Sequence, residues 1–371
     1  MYKLKDLKTY LETDYSKREL FPQERNIVLM KNDAFLKAPP NICPKCGKEY
    51  YGGENICFDC LEVLKKKSDK INISKIKSNP QFIIQKTNCY DNFKDLLSDE
   101  NIKKIKDFNF NCKDYNKIIL KIKRDALKNL DTIIRENDIE LYGLSITDKV
   151  MLFAKSFVSV NFKSQGQQLG YFENNTIFID DRQKDSFKIT TLIHELSHFL
   201  IHEIIVSIIA EILDASKNEY LNQLATFILS YDDFVCLIDE YAAHTVEGRF
   251  TLFGYQDYSS FIKIEKNLEN RFGDDEIEVI KSIGNSFSLS IKNILESFID
   301  EDLREEIKDQ FEKECRESPN YGMLQYENCQ KLNEEGFIRA LWLMIYEGIR
   351  ESKVALNDRK THWRGLWRWW S

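Results

Sequence analysis

The sequence predicts an α+β, helix-rich protein made of several structural units. Three features predict it: long segments repeat apolar residues three or four apart, a short central segment has strand-like runs, and no proline lies between Pro80 and Pro319. With 371 residues and 43% hydrophobic content, the chain is long enough for two or three units with buried interiors.

Composition and charge limit the classes of function. The net charge of −7 gives no reason to expect general affinity for nucleic acid or anionic membranes. The N-terminus has no apolar core of signal-peptide length, and the apolar stretch 201–213 is interrupted by His202, Glu203, Ser207 and Glu211, so no transmembrane segment is predicted. Nine cysteines, four of them in a metal pattern, fit a reducing compartment. We therefore expect a cytoplasmic protein.

The first predicted unit, residues 1–80, contains short amphipathic helices before residue 38, a cysteine-bearing loop at 41–62 and a lysine-rich linker. The loop has the pattern C-x₂-C-x₁₀-C-x₂-C. Its four cysteines are Cys43, Cys46, Cys57 and Cys60. Four thiolates at this spacing can enclose a structural zinc ion, and Gly47 permits the tight turn after the second of them. Such a site is closed and does no chemistry. It is either a docking module for nucleic acid or a protein partner, or a local brace for its own unit.

Strand-like segments follow a helical connecting region at 81–145, whose clearest helix covers 117–137. The segments 157–162, 169–172 and 176–180 are rich in β-branched and aromatic residues, and Asn174-Asn175 marks a turn before the last of them. They predict a small antiparallel sheet at the start of a domain covering 146–256. Asp185 or Ser186 is expected to cap the helix that follows.

That helix carries the strongest chemical motif in the chain, His194-Glu195-Leu196-Ser197-His198, which matches H-E-x-x-H. Residues four apart share a helix face, so both imidazoles can reach one zinc ion while Glu195 stands beside it. Chance would produce on the order of 0.01 such matches here. The motif therefore predicts a catalytic zinc with Glu195 as general base, taking the proton of the attacking water and passing it to the leaving amine.

A catalytic zinc needs a third protein ligand. The metzincin pattern is excluded, because Ile201 and Ile204 stand where it needs glycine and histidine. His202 lies a further turn along the helix and is expected to pack or to orient a ligand. The segment 238–247 reads as a second helix that presents Glu240 and His244 on one face. Glu240 is our predicted third ligand and His244 the alternative.

If Glu240 binds the metal, His244 and Tyr241 become candidates for orienting a ligand or for stabilising the tetrahedral oxyanion. Ordinary helix packing is the competing interpretation for both side chains. Four of the five histidines fall between His194 and His244, which favours one shared site.

Three segments, 170–180, 192–202 and 240–244, together resemble the ImmA/IrrE group of gluzincin-type metallopeptidases. That group has strands, an H-E-L-x-H-x-L-x-H-like helix and a downstream E-x-x-A-N segment. The resemblance covers about residues 150–250 and implies a zincin-like domain that cleaves a protein, often a transcriptional repressor. Two features depart from the group: His244 replaces the usual asparagine, and the long spacing between His198 and Glu240 predicts an inserted helical hairpin around 204–230. The cysteine-bearing loop at 41–62 is predicted to be a zinc ribbon, and SprT-like proteases, which act near DNA, also pair H-E-x-x-H with a zinc ribbon. They are a weaker resemblance, because they carry their ribbon after the catalytic part and use a third histidine.

The C-terminal part, 257–358, reads as a helical region. Its clearest helix repeats apolar residues over 277–298, and an acidic segment at 296–320 reads as a solvated helix face. The tail 359–371 holds four of the five tryptophans, alternating with Arg364 and Arg368. Such a tail suits a membrane interface, a partner groove or nucleic acid, or it folds back on its own chain.

Taken together, the patterns predict a zinc-dependent peptidase with one catalytic and one structural zinc ion and a protein substrate. Two other classes stay open: a non-catalytic binding protein stabilised by zinc, and a protease associated with DNA. The patterns do not predict an oligomeric state.

Overall fold

The computed structural model describes residues 40–50, 55–68, 71–78, 95–163, 169–173, 175–251, 272–315 and 331–357. The helices predicted before residue 38 and the Trp/Arg-rich tail at 359–371 lie outside these residues. The chain divides into two compact units. The first comprises Met1–Ile71 with Glu140–Leu144, and the second comprises Asn72–Ile139 with Ser145–Ser371.

The first unit is built around the cysteine pattern. Strands β1 (Asn41–Ile42) and β2 (Glu49–Tyr50) pair as an antiparallel hairpin, and helix α1 (Phe58–Ser68) follows. A short 3₁₀ turn, Leu141–Gly143, completes the unit, where Gly143 accepts a hydrogen bond from the hydroxyl of Ser68. The hairpin turn depends on Gly47, whose φ of 71° is a conformation that glycine adopts without a Cβ clash.

The described part of the second unit is mainly helical, as predicted. Its helices are α2 (Asp99–Asp107), α3 (Cys112–Glu136), α4 (Ile146–Phe157), α5 (Asp185–Leu213), α6 (Glu219–Ser230), α7 (Asp233–Thr251), α8 (Asp274–Leu295), α9 (Glu301–Cys315) and α10 (Glu334–Asn357). Short polar residues begin several of them. Ser98, Asn111, Ser145 and Asn218 each accept a backbone N–H of the first turn of the helix that they precede, which is the usual function of an N-cap.

The sheet contains strands β3 (Ser159–Phe162), β4 (Gly170–Glu173) and β5 (Thr176–Ile179) in the order β3-β5-β4. The prediction of an antiparallel sheet is therefore wrong in one respect. β4 and β5 are antiparallel, but β3 and β5 are parallel, so the sheet is mixed. The physical reason lies in β5, whose Ile177 and Ile179 are fully buried and take the central position. Asn175, with a φ of 55°, lies in the turn that leads from β4 into β5, so these two strands pair as neighbours. Because β3 pairs with the other side of β5, β4 lies at the edge of the sheet.

Helix α5 lies at the centre of the second unit and carries the H-E-x-x-H motif. It is 29 residues long and buried on almost every side, against the sheet and against α4, α6, α7 and α9. Among the described residues, α5 is the one helix that is both long enough and apolar enough to cross a membrane. However, 94% of its most apolar window is buried inside the protein. The predicted hairpin around 204–230 is present as the C-terminal half of α5 and helix α6.

The start of α5 differs from its prediction. Neither Asp185 nor Ser186 is the N-cap; the cap position is Lys184, whose side chain accepts no hydrogen bond there. Instead, the carboxylate of Glu314 on α9 accepts both the backbone N–H of Ser186, at 3.0 Å, and its hydroxyl, at 2.7 Å. A negative charge is stabilising at a helix N-terminus, so α9 supplies the cap that the local sequence does not. The acidic segment of α9 is thus more than a solvated face.

Helices α7 and α8 approach each other closely at Gly284, because that residue has no side chain. A Cβ placed there would lie 2.7 Å from the ring of Tyr241 and 3.1 Å from the carbonyl oxygen of Ile238. This packing holds α7 against α8.

We expect Gly284→Ala to lower the melting temperature measured by circular dichroism. Alanine gains about 1 kcal/mol over glycine in helix propensity, but overpacking against the α7 backbone costs about 1–3 kcal/mol or more. Glu278→Ala is the control, because Glu278 is exposed on the same helix and its loss should change stability by less than about 0.5 kcal/mol. A melting temperature equal to or above that of the wild type in Gly284→Ala would contradict this packing.

Candidate metal centre

Helices α5 and α7 bring their polar side chains together in the interior of the second unit. His194 and His198, one turn apart on α5, face Glu240 and His244, one turn apart on α7. His198, Glu240 and His244 are buried, whereas the side chain of His194 keeps 13% of its exposure. Solvent therefore reaches the group beside His194.

The three predicted ligands of the catalytic metal lie close enough to share an ion. The Nε2 atoms of His194 and His198 are 3.1 Å apart, and the Oε2 atom of Glu240 lies 3.8 Å from the first and 3.9 Å from the second. Ligands around a tetrahedral zinc at 2.0–2.1 Å are separated by about 3.3 Å, so a small movement of Glu240 toward the two imidazoles would bring the three groups to that spacing and leave a fourth position open. Two imidazoles and one carboxylate are a donor set that suits zinc. The residues present fit a zinc ion.

Each of the two motif histidines has a second carboxylate on its far side. The Nδ1–H of His198 donates to Asp239 at 2.9 Å, and Nδ1 of His194 lies 3.2 Å from Oε2 of Glu247. Both acids are on α7 and are buried. A carboxylate on the far nitrogen fixes the ring orientation of a metal-binding histidine and raises its basicity.

Sequence reasoning did not single out Asp239 and Glu247. The sequence spacing could have indicated Glu247, because it lies seven residues after Glu240 and three after His244 and therefore shares their helix face. No spacing of this kind indicates Asp239. It precedes Glu240 by one residue, which places it about 100° around the helix axis, and only the position of α5 shows that it reaches His198.

Charges in this group shift the pKa values of the histidines. Burial disfavours the charged form of His198, but the carboxylates of Asp239 and Glu240 outweigh that effect and raise its pKa to about 10. Burial also opposes the charge on His194, but the hydrogen bond to Glu247 raises its pKa overall. The protein thus favours positive charge at this place.

The pKa values of His244 and Glu247 are lowered, whereas those of His194 and His198 are raised. Burial, reinforced by the neighbouring His194, lowers the pKa of His244. Burial alone would raise the pKa of Glu247, but the hydrogen bonds with His194 and His244 lower it below its usual value. Glu247 is therefore a carboxylate shared by two imidazoles.

Glu195 lies in the same interior. It is 6% exposed, and its Oε2 atom has no hydrogen-bond partner among the described residues. Burial raises the pKa of this carboxyl, although the nearby His194 and His198 act in the opposite direction. A buried carboxyl oxygen without a partner is costly, so it marks a place where a further polar group is expected.

His202 and Tyr241 both contact a further helix. Nε2 of His202 lies 2.9 Å from the carbonyl oxygen of Asn222 on α6, and burial lowers the pKa of the ring to about 4. His202 therefore joins two helices, in agreement with the packing role predicted for it. The ring of Tyr241 lies against Gly284 on α8, and its suggested part in stabilising an oxyanion stays a prediction.

The cysteines of the first unit form a separate group that could hold a metal ion. The Sγ atoms of Cys43, Cys46, Cys57 and Cys60 all lie within 4.8 Å of one another. Those of Cys46 and Cys57 are 3.6 Å apart, close to the separation of about 3.8 Å expected around a tetrahedral zinc with bonds of 2.3 Å. Burial would raise the pKa of Cys43, but backbone N–H groups, with that of Cys57 foremost, lower it to about 6, which favours a thiolate.

Comparisons with known proteins add nothing to this geometry: no family model matches the chain, and no curated protein or solved structure is significantly similar to it. The site therefore has to be interpreted from its own residues.

Proposed function

We propose that the second unit is a zinc-dependent peptidase that cleaves a peptide bond in a protein substrate. One observation supports this most strongly: two imidazoles and a carboxylate converge from α5 and α7, and Glu195, next to His194 on α5, has a buried carboxyl oxygen with no hydrogen-bond partner among the described residues. The resemblance of the segments 170–180, 192–202 and 240–244 to ImmA/IrrE metallopeptidases supports the same proposal and favours a regulatory protein, such as a repressor, as substrate.

In this proposal His194, His198 and Glu240 would hold the zinc ion, with Asp239 and Glu247 fixing the two histidine rings. Zinc, when bound, would polarise the scissile carbonyl and make a water acidic enough to lose its proton near neutral pH.

Glu195 carries the proton in the proposed reaction. Its carboxylate accepts the proton of the attacking water as the C–O bond forms, and then donates that proton to the leaving amine as the peptide C–N bond breaks. His244 and Tyr241 remain candidates for orienting a ligand or for stabilising the tetrahedral oxyanion.

A non-catalytic, zinc-stabilised binding protein is the competing proposal. A closed structural site has no need of a carboxyl beside it, whereas Glu195 is held there at the cost of burial. A DNA-associated protease, the other alternative, requires cleavage that DNA stimulates.

The test of the peptidase proposal is a comparison of new protein N-termini in cells that produce either the wild type or Glu195→Gln. We expect a set of cleavage products that is present with the wild type and lost with the variant. Identical sets of N-termini in the two samples would contradict a peptidase function. Repeating cleavage of an identified substrate with and without DNA separates the DNA-associated alternative.

We further propose that the cysteine group holds a structural zinc ion, so the full chain should contain two zinc ions. Elemental analysis of the purified protein should approach two per chain. Cys43→Ser should lose one ion and keep the other, because the two groups are separate in the chain and share no ligand. Cys112→Ser is the matched control, since Cys112 is a free, half-buried thiol outside the group, and it should keep both ions. A wild-type content of one or none would contradict the proposal.

A further inference from the structure

Glu247 contacts two imidazoles through a single oxygen atom. Its Oε2 lies 3.2 Å from Nδ1 of His194 and 3.1 Å from Nδ1 of His244. All three groups come from the interface of α5 and α7, and the side chain of Glu247 is 5% exposed. Water therefore competes weakly for these contacts.

A carboxylate can only accept hydrogen bonds, so the nitrogens that face it must carry the protons. A neutral imidazole has one N–H and one lone pair. When Nδ1 of His194 and of His244 each donate to Glu247, both lone pairs are on Nε2. Those two Nε2 atoms each lie 3.8 Å from Oε2 of Glu240, on the side of the rings where the metal ligands converge.

We propose that Glu247 is a positioning residue that fixes the tautomer and direction of His194 and His244 together, so that both present an Nε2 lone pair to the space beside Glu240. For His194 this is the form that a metal ligand needs. The inference concerns the same site as the proposed peptidase function, but it rests on the described contacts and its test does not require turnover.

The proposal changes the role of His244. A neutral His244 held in this tautomer has no N–H left to donate to a tetrahedral oxyanion. In this tautomer its Nε2 can only accept a hydrogen bond or a proton, for example from water or from a backbone N–H of the substrate. His244 is therefore suited to orient a donor in the site.

A second metal ion between the same three groups is the competing interpretation, since they could also hold an ion. It would require Nδ1 of His194 to bind that ion while Nε2 binds the first, with the ring fully deprotonated. The contacts of 3.1 and 3.2 Å are ordinary lengths for N–H···O hydrogen bonds and need no such ion.

Nitrogen NMR of the histidine rings tests the inference on the full-length protein. The chain has only five histidines, so ¹⁵N-histidine labelling gives few signals, which can be assigned by replacing one histidine at a time. In the zinc-loaded wild type we expect His244 to carry its proton on Nδ1, the less common form of a free side chain. A proton on Nε2, or a doubly protonated ring at pH 7, would overturn the proposal.

Two variants separate positioning from a general structural effect. Glu247→Ala should change the ring signals of His194 and His244 and leave those of His198, which Asp239 holds. Asp239→Ala should do the reverse. Unchanged signals of both His194 and His244 in Glu247→Ala would overturn the proposal. If Glu247→Ala does not fold, the tautomer of His244 in the wild type still tests the positioning role of Glu247. A zinc content of three ions per chain would instead favour the second metal ion.

Glu247→Ala should also weaken zinc binding, measured by competition with a chelator of known affinity and compared with His244→Ala. Loss of a carboxylate behind a metal-binding histidine costs about 10–100-fold in metal affinity. We expect this loss in Glu247→Ala through His194, but a smaller one in His244→Ala, because the contact between His194 and Glu247 remains. Equal losses in both variants would show that His244 itself binds the metal, contrary to the proposal.

Discussion

Glu195→Gln should lower the turnover of a cleavable substrate by about 10²–10⁴-fold, the usual contribution of a positioned general base. Glutamine keeps the size and shape of the side chain but cannot accept the proton of the attacking water. Because Glu195 is not a predicted ligand, the zinc content and the melting temperature should stay those of the wild type. The kinetic constants, measured with the zinc content of the same preparation, check all three expectations.

Glu211→Gln is the matched control for this prediction. It is the same substitution on the same helix, at a partly exposed residue whose ion pair with Lys117 lies on the surface. Surface ion pairs of this kind contribute about 1 kcal/mol or less, so turnover should be unchanged. If Glu195→Gln cleaves a genuine substrate as fast as Glu211→Gln does, Glu195 is not the base and the site is a binding surface.

Glu240→Ala should remove one of the two zinc ions from the purified protein. The carboxylate lies 3.8 and 3.9 Å from the Nε2 atoms of the two motif histidines, and without it only two predicted ligands remain. The loss of affinity should exceed the 10–100-fold typical of groups behind a ligand. Elemental analysis after dialysis measures it, and activity should fall with the metal content.

His244→Ala is the informative comparison, because His244 lies one turn away on the same helix face and is equally buried. It should keep both zinc ions and lower turnover. The opposite pattern, with metal lost in His244→Ala and kept in Glu240→Ala, would assign the third ligand to His244.

The sequence predicted the parts of the site that depend on spacing within one helix. His194 and His198 lie four residues apart, as do Glu240 and His244, and the helical period alone places each pair on one face. The cysteine group was predictable for a similar reason, since its ligands are close in the sequence. These expectations agree with the groups that the structure brings together.

Features that depend on contacts between distant elements were not predictable. The parallel pairing of β3 with β5 follows from which strand is most deeply buried, and a strand pattern does not show its partner. The cap on α5 comes from Glu314, more than a hundred residues further along the chain. Asp239 and Glu247 look like ordinary acids of a helix until the position of α5 shows which histidines they contact.

Removal and return of the metal tests whether a zinc ion at His194, His198 and Glu240 is required for peptide-bond cleavage. The purified full-length protein would be treated with a chelator, dialysed and assayed on an identified substrate before and after zinc is added. We predict that cleavage disappears with the metal and returns with zinc in the wild type, and that zinc restores none in Glu195→Gln. Cleavage that persists in the zinc-free protein would contradict a zinc-dependent mechanism.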